Sequence, residues 1–312
     1  MLMKKLRRYL GAMGLLLLMG VATSCIKDNI ATTSDADAVN ITVNVGSRAV
    51  EVDEDNSEVL ANEDIKTIRL ILVQNGKVVS NSKHSFTASD GQKLLKQGIR
   101  IIGLKKAVTH FYAVVNNESA GEDLKIGDTF EESSLDVQLG NELTSDTPLP
   151  MYGKLVGQEE IKDEDKFEIP VTRAVARVDL NITNNTGSDL NIKSVDFGPF
   201  IADKGYLITS QGKDIKYSSR EFPVEEANMG EYHFYLYEAI GLDYKNFTIG
   251  MTTADTKYDQ TQIIVPADEQ AQLLKRNTIL QINATVNSSS EPITIEISVK
   301  PWESVELPPL FE

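Results

Sequence analysis

Apolar and polar residues alternate along most of this chain with the period of a β-strand. Val39, Ile41, Val43 and Val45 fall on one face of a first segment, and Asn40, Thr42 and Asn44 on the other. Gly46-Ser47-Arg48 ends that segment, and an acidic stretch over 51–58 follows. Residues 65–74 are apolar and rich in β-branched side chains, and Asn75-Gly76 is a dipeptide that favours a tight hairpin, so 77–80 begins the return strand. The continuous apolar run 111–115 is predicted to be a buried central strand, closed by Asn116-Asn117. Across 174–182, Val175, Arg177 and Asp179 alternate with Ala176, Val178 and Leu180, and 184–188 reads as a turn. Segments 234–237, 247–251, 280–286 and 293–299 continue the pattern, and only 90–97 and 267–276 read as short helical pieces. Short strands with polar turns predict an all-β, mainly antiparallel fold of the sandwich or Greek-key kind, not a parallel sheet with crossover helices.

At 312 residues the chain is long enough for two ordinary cores. A charged gap over 157–165 divides it, which predicts an N-terminal domain over 49–170 and a C-terminal domain over 171–312. The net charge is -15, and four positive charges, Lys4, Lys5, Arg7 and Arg8, sit at the extreme N-terminus. Without them 27 basic residues face 46 acidic ones, a balance of -19 that repels nucleic acid and anionic lipid.

That N-terminus has the layout of a secretory leader. A basic region over 1–8 precedes an apolar run over 10–21, and Ala22-Thr23-Ser24 supplies small residues for cleavage. The run is too short to span a bilayer comfortably, so 1–24 is predicted to be a signal peptide and no later segment a membrane span. Cys25 is the only cysteine, so an internal disulfide has no second partner. Its place after the apolar run is that of a lipidated cysteine, although Ala22 stands where bacterial lipoproteins usually carry leucine. The alternative is ordinary cleavage after Ala22-Thr23-Ser24. Residues 31–38, rich in Ser, Thr, Asp and Ala, read as a flexible tether.

Candidate chemistry is sparse. His84, His110 and His233 lie in separate predicted strands without metal-ligand spacing, and each is read as structural. Asp53, Asp55 and Asn56 lack the glycine and terminal glutamate of a calcium loop. No nucleophile elbow, phosphate-binding glycine loop or His-Glu-x-x-His is present, so no catalytic residue, metal or cofactor is assigned and the chain is not read as an enzyme. Trp302, the single tryptophan, is expected to anchor the end of the last strand, which Pro301 should stop near Val299.

Several segments, in this order, resemble the fimbrillins, the major fimbrial subunits of the type V pili of Bacteroidales. They are Val43-Asn44-Val45-Gly46-Ser47-Arg48-Ala49, the run over 65–73, and Phe111-Tyr112-Ala113-Val114-Val115-Asn116. Leu149-Pro150-Met151-Tyr152-Gly153 and Arg173-Ala174-Val175-Ala176-Arg177-Val178-Asp179 follow. Phe234-Tyr235-Leu236-Tyr237-Glu238, Lys275-Arg276-Asn277-Thr278 and Val299-Lys300-Pro301-Trp302 complete the set. The resemblance implies two transthyretin-like β-sandwich domains in tandem, secreted as a lipoprotein precursor with Cys25 lipidated and 25–48 as tether and removable first strand. An extracellular Arg- or Lys-specific protease would cut Arg48-Ala49, removing the strand that carries Val39, Ile41, Val43 and Val45. A donor strand from the C-terminal end of a neighbouring subunit, here Val305, Leu307 and Leu310 within 303–312, would fill the vacated groove.

On that resemblance the chain is expected to be a pilus shaft subunit, lipidated at the outer membrane and then built into a fimbrium for adhesion. Its partners would be other pilus subunits, the protease and a host or bacterial surface receptor, with no nucleic acid. The alternatives are an anchor or tip subunit of the same family, or a surface adhesin lipoprotein that never polymerises.

Overall fold

The computed structural model describes residues 38–47, 65–86, 98–140, 143, 147–209, 214–227, 230–239, 242–243, 247–263, 274–288 and 291–302. They form seventeen strands. These are β1 (Ala38–Ser47), β2 (Thr67–Gln74), β3 (Lys77–Ser85), β4 (Ile99–Lys105), β5 (Thr109–Val115), β6 (Gln138–Leu139), β7 (Met151–Leu155), β8 (Asp165–Arg173) and β9 (Val175–Asn184). Then come β10 (Ile192–Ala202), β11 (Gly205–Tyr206), β12 (Tyr217–Ala227), β13 (Gly230–Tyr237), β14 (Thr248–Thr253), β15 (Lys257–Gln262), β16 (Thr278–Val286) and β17 (Thr294–Pro301). A single 3-10 turn, Glu132–Leu135, is the only helical piece among the described residues. The helical piece expected over 90–97 lies outside them. Of that expected over 267–276 only 274–276 are described, and they form a turn.

Local chemistry accounts for the hairpins. Asn75 and Gly76 both adopt positive φ, 52° and 71°, as the tight turn between β2 and β3 requires. Asn116, at φ 54°, ends β5, and its Oδ1 accepts the Lys66 and Thr67 backbone N–H groups while its Nδ2 donates to Leu149 O. One side chain thus fixes the entry to β2, the end of β5 and the approach to β7.

A seven-stranded sheet has the order β3-β2-β5-β7-β8-β1-β4. Its neighbours are antiparallel except β1 and β8, which are parallel. Its inner face carries Ile68, Leu70 and Leu72 of β2, Phe111, Ala113 and Val115 of β5, Ile169 and Val171 of β8, and the four apolar residues of β1. Two four-stranded sheets, β12-β10-β14-β15 and β13-β9-β16-β17, share a second core. Phe197 of β10 meets Phe234 of β13 edge-on at 5.1 Å across that core. The fold is therefore all-β and mainly antiparallel, as the alternation predicted.

The chain passes from the seven-stranded sheet to the second group at Ala174. β8 stays in the first sheet through Arg173 because Arg173, Thr172 and Val171 pair with Met151, Tyr152 and Gly153. The crossover thus lies a little beyond the 170/171 limit read from the charged gap. β17 runs through Pro301, beyond its expected end at Val299. It is an edge strand, so one side needs no ladder and a missing N–H is tolerated.

The two groups of sheets are stitched together. β6 pairs with β11, and Asp136 accepts the backbone N–H groups of Ile208 and Thr209 and the Thr209 hydroxyl. Tyr237 donates its hydroxyl to Gly140 O. Arg276 uses all five guanidinium N–H donors, one on Glu238 Oε2 and four on the carbonyls of Tyr206, Leu207, Ile208 and Thr209.

Candidate functional site

β1 is the N-terminal described strand, yet it lies inside the sheet and not at its edge. Residues 41–47 run parallel to 165–171 of β8, and on the other side Ala38, Val39, Ile41, Thr42 and Val43 pair antiparallel with β4. Val39, Ile41, Val43 and Val45 are 6, 1, 0 and 4% exposed. Val43 stands opposite Ile99 on one side and Phe167 on the other, and Phe167 packs on Phe111 with ring centroids 4.6 Å apart.

Burying four such side chains contributes roughly 6–12 kcal/mol at about 1.5–3 kcal/mol each. A whole domain is typically stable by about 5–15 kcal/mol. Loss of β1 alone would therefore cancel most of the stability of this core. Among the described residues β1 is also the only strand neighbour of β4, so β4 would lose its ladder with it.

Polar contacts pin the N-terminal end of this strand. Asp163 Oδ1 accepts Asn40 N at 2.7 Å and Asn40 Nδ2 at 3.2 Å, and Glu164 N donates to Asn40 O at 2.7 Å. Asn40 Oδ1 accepts Gly103 N, where a bulge sets Asn40 against Ile102 and Gly103. Gly103, at φ 75°, supplies the positive φ there. Near the other end Gly98 approaches so closely that a Cβ would lie 2.3 Å from Asn44 Oδ1. The C-terminal end carries no comparable pin among the contacts of the described residues.

A second cluster lies beside the crossover. Trp302 is 1% exposed, stacked on Tyr235 at 5.9 Å, with the Arg173 guanidinium 4.5 Å and the Arg177 guanidinium 5.4 Å from its ring centroid. It is the core anchor the sequence suggested. Arg177 binds both oxygens of Asp179, with Nε–Oδ1 and Nη2–Oδ2 each 2.8 Å, and Asp179 Oδ1 also lies 2.8 Å from His233 Nδ1. Burial would raise the Asp179 carboxyl, but the hydrogen bonds from His233 and Arg177 outweigh it and hold it below its ordinary value.

Along β9, Val175, Arg177 and Asp179 fall on one face and Ala176, Val178 and Leu180 on the other. Both faces are covered along its first half, because Arg177 and Asp179 neutralise each other under Trp302 and His233. Asp179, Glu231 and His233 bring ligand-type atoms within 4.8 Å of one another. Arg177 already engages both oxygens of Asp179, so that carboxylate is balanced by its ion pair with the guanidinium. Sequence reading missed this trio. The signal was Glu231 and His233 two apart on one strand face, in a segment that could pair with the strand of Asp179. Of the other histidines, His84 is buried with Nε2 2.9 Å from Ser82 Oγ, and His110 lies half-buried in β5.

Cys25, Arg48 and Ala49, and Val305, Leu307 and Leu310, lie outside the described residues, as does the acidic stretch 51–58. Arg173-Ala174, the chain's other Arg-Ala bond and so a second candidate for an Arg-specific protease, is 2% and 1% exposed.

The fold of this chain is similar to that of bacterial fimbrial and candidate cell-adhesion proteins of known structure. The fold is similar to that of the tip fimbrial protein Mfa3 from Porphyromonas gingivalis with C-terminal truncation, at TM-score 0.57 and 15% identity, covering 85% of this chain and 100% of that one. It is similar to a candidate cell adhesion protein from Parabacteroides distasonis ATCC 8503, at TM-score 0.55 and 14% identity, covering 86% and 97%. A candidate cell adhesion protein from Bacteroides eggerthii DSM 20697 matches at TM-score 0.53 and 13% identity, covering 85% and 96%. No protein-family model matches the chain, and no curated protein matches it by sequence.

Proposed function

We propose that this chain is a structural subunit of a bacterial surface pilus, made as a lipoprotein precursor and polymerised by strand exchange. The observation that carries the reading is the place of β1. It is held between β4 and β8, fills one face of the core with four side chains, and is followed directly by Arg48. Cleavage at Arg48-Ala49 by an extracellular Arg- or Lys-specific protease leaves β1 held only by noncovalent contacts, namely its ladder, its packing and the polar contacts of Asn40. The vacated groove then offers backbone hydrogen bonds on both sides and a row of apolar pockets, the physical requirements for strand addition. Val305, Leu307 and Leu310 of a neighbouring copy are the proposed replacements, and Cys25 carries the lipid that holds the precursor at the outer membrane. The buried Arg173-Ala174 bond supports Arg48-Ala49 as the site of cleavage. No step in this reading uses enzymatic chemistry of the chain itself.

A second reading, a tip or anchor subunit that keeps β1, is supported by the shared fold of a fimbrial tip protein. One experiment separates the two: N-terminal sequencing of the protein sheared from cells. A shaft subunit gives an N-terminus at Ala49. A blocked, lipidated Cys25 in assembled material favours the anchor, and soluble monomer alone counts against both.

A further inference from the structure

The tail that follows Trp302 starts beside the groove of its own subunit. Trp302 is clamped under Arg173, and Arg173 stands two residues along β8 from Val171, the partner of the last residue of β1, Ser47. At a rise of about 3.3 Å per residue the mouth of the groove lies roughly 7 Å along β8 from the clamp. β1 enters the same groove from the opposite end, where Ala38 pairs with Lys105.

We propose that, once β1 has gone, residues 303–307 fold into the groove of their own subunit, running opposite to β1, and hold the processed chain as a self-capped monomer until the tail of another copy displaces them. This rests on the strand-exchange reading above. The reversed strand would be antiparallel to β8 and parallel to β4, and either arrangement satisfies a ladder. Val305 and Leu307 keep the two-residue spacing of Val45 and Val43, so they suit the two apolar pockets nearest the mouth. Tethering at Trp302 gives the tail an effective concentration of the order of millimolar, far above that of free subunits in dilute solution. Pro308 and Pro309 donate no N–H, so the cap ends after Leu307 and the pockets of Ile41 and Val39 stay open. That unfilled far end is where an incoming strand gains its first hold.

The test compares processed chain, with loss of 25–48 verified by mass, with the same chain lacking 303–312 and with Leu307→Asp. At sub-micromolar concentration, where light scattering shows monomer, the intact tail is expected to raise the melting temperature by at least about 5 °C. The shift should not depend on concentration, and Leu307→Asp should remove most of it. Amide hydrogen exchange in the dilute monomer should also show protection over 304–307, a readout that stands if the truncated chain folds poorly. Equal melting of all three chains with unprotected amides over 304–307 overturns the cap. If fibres still form at high concentration in that case, the strand-exchange reading survives without it. Retention of the 25–48 fragment after cleavage defeats both.

Discussion

Asp163 Oδ1 accepts two N–H groups from one residue, the backbone and side-chain nitrogens of Asn40, and so ties the loop before β8 to the start of β1. Asp163→Ala removes both acceptor contacts at an exposed site, and the expected loss is about 1 kcal/mol. Amide hydrogen exchange should locate it, with faster exchange over 38–43 and little change over 44–47. Uniform acceleration along the strand would contradict a pin at one end.

Val43 is fully buried between Ile99 and Phe167. Val43→Ala should cost about 2 kcal/mol by urea denaturation, combining lost transfer energy with a residual cavity. Val43→Asp should leave the chain unfolded or unable to seat β1. If Val43→Asp matched the stability of the parent, the groove would not be the apolar one described.

The Asp179 ion pair gives a pH dependence with a definite sign. Its folded carboxyl lies below its ordinary value, so the stabilisation is fully present above the unfolded pKa of about 3.9. It is lost as pH falls below about 4 and through the folded value. Urea midpoints should therefore drop between pH 5 and pH 3, and Asp179→Asn should flatten that part of the profile. The substitution also leaves Arg177 buried without its countercharge, at a cost of about 3 kcal/mol at neutral pH. An unchanged acid limb in the variant would assign the effect to other carboxylates.

Trp302 seals the end of β17 and covers two arginines. Trp302→Ala should cost about 3–5 kcal/mol. It should also open Arg173-Ala174 to limited tryptic digestion, seen as a new N-terminus at Ala174. Trp302→Phe keeps an aromatic face over Arg173 and should stay largely resistant. A variant in which the alanine change leaves this bond uncut would argue that the β8 ladder alone protects it.

Strands with a clean alternation, an apolar run or a turn of their own were legible in the sequence, whereas β4, β8, β10, β12 and β15 were not. Val39 to Val45 alternate cleanly, and Asn75-Gly76 names its own turn. Partnerships were not legible. Nothing local in β1 indicates that it pairs parallel with a segment as distant as β8, because such a pairing is set by the closed core and not by neighbouring residues. The buried polar face of β9 was hidden for the same reason. Arg177 and Asp179 look solvated in sequence, and only the placement of Trp302 and His233 covers them. Pro301 misled in the opposite direction, since its cost depends on whether the strand has one neighbour or two.

The stitching around Arg276 has a mechanical consequence. A polymer joined end to end passes any pulling force through each subunit, and the crossover at Ala174 is a single covalent strand of backbone. The β6–β11 ladder, the Asp136 contacts and the five-donor grip of Arg276 lie in parallel with that strand and share its load. Two bodies on a free swivel would make a limp chain that coils under flow. Cross-braced in this way, the two groups of sheets would bend together in a subunit polymerised as proposed above, and the stiffness of such a filament would be governed by the joints between copies.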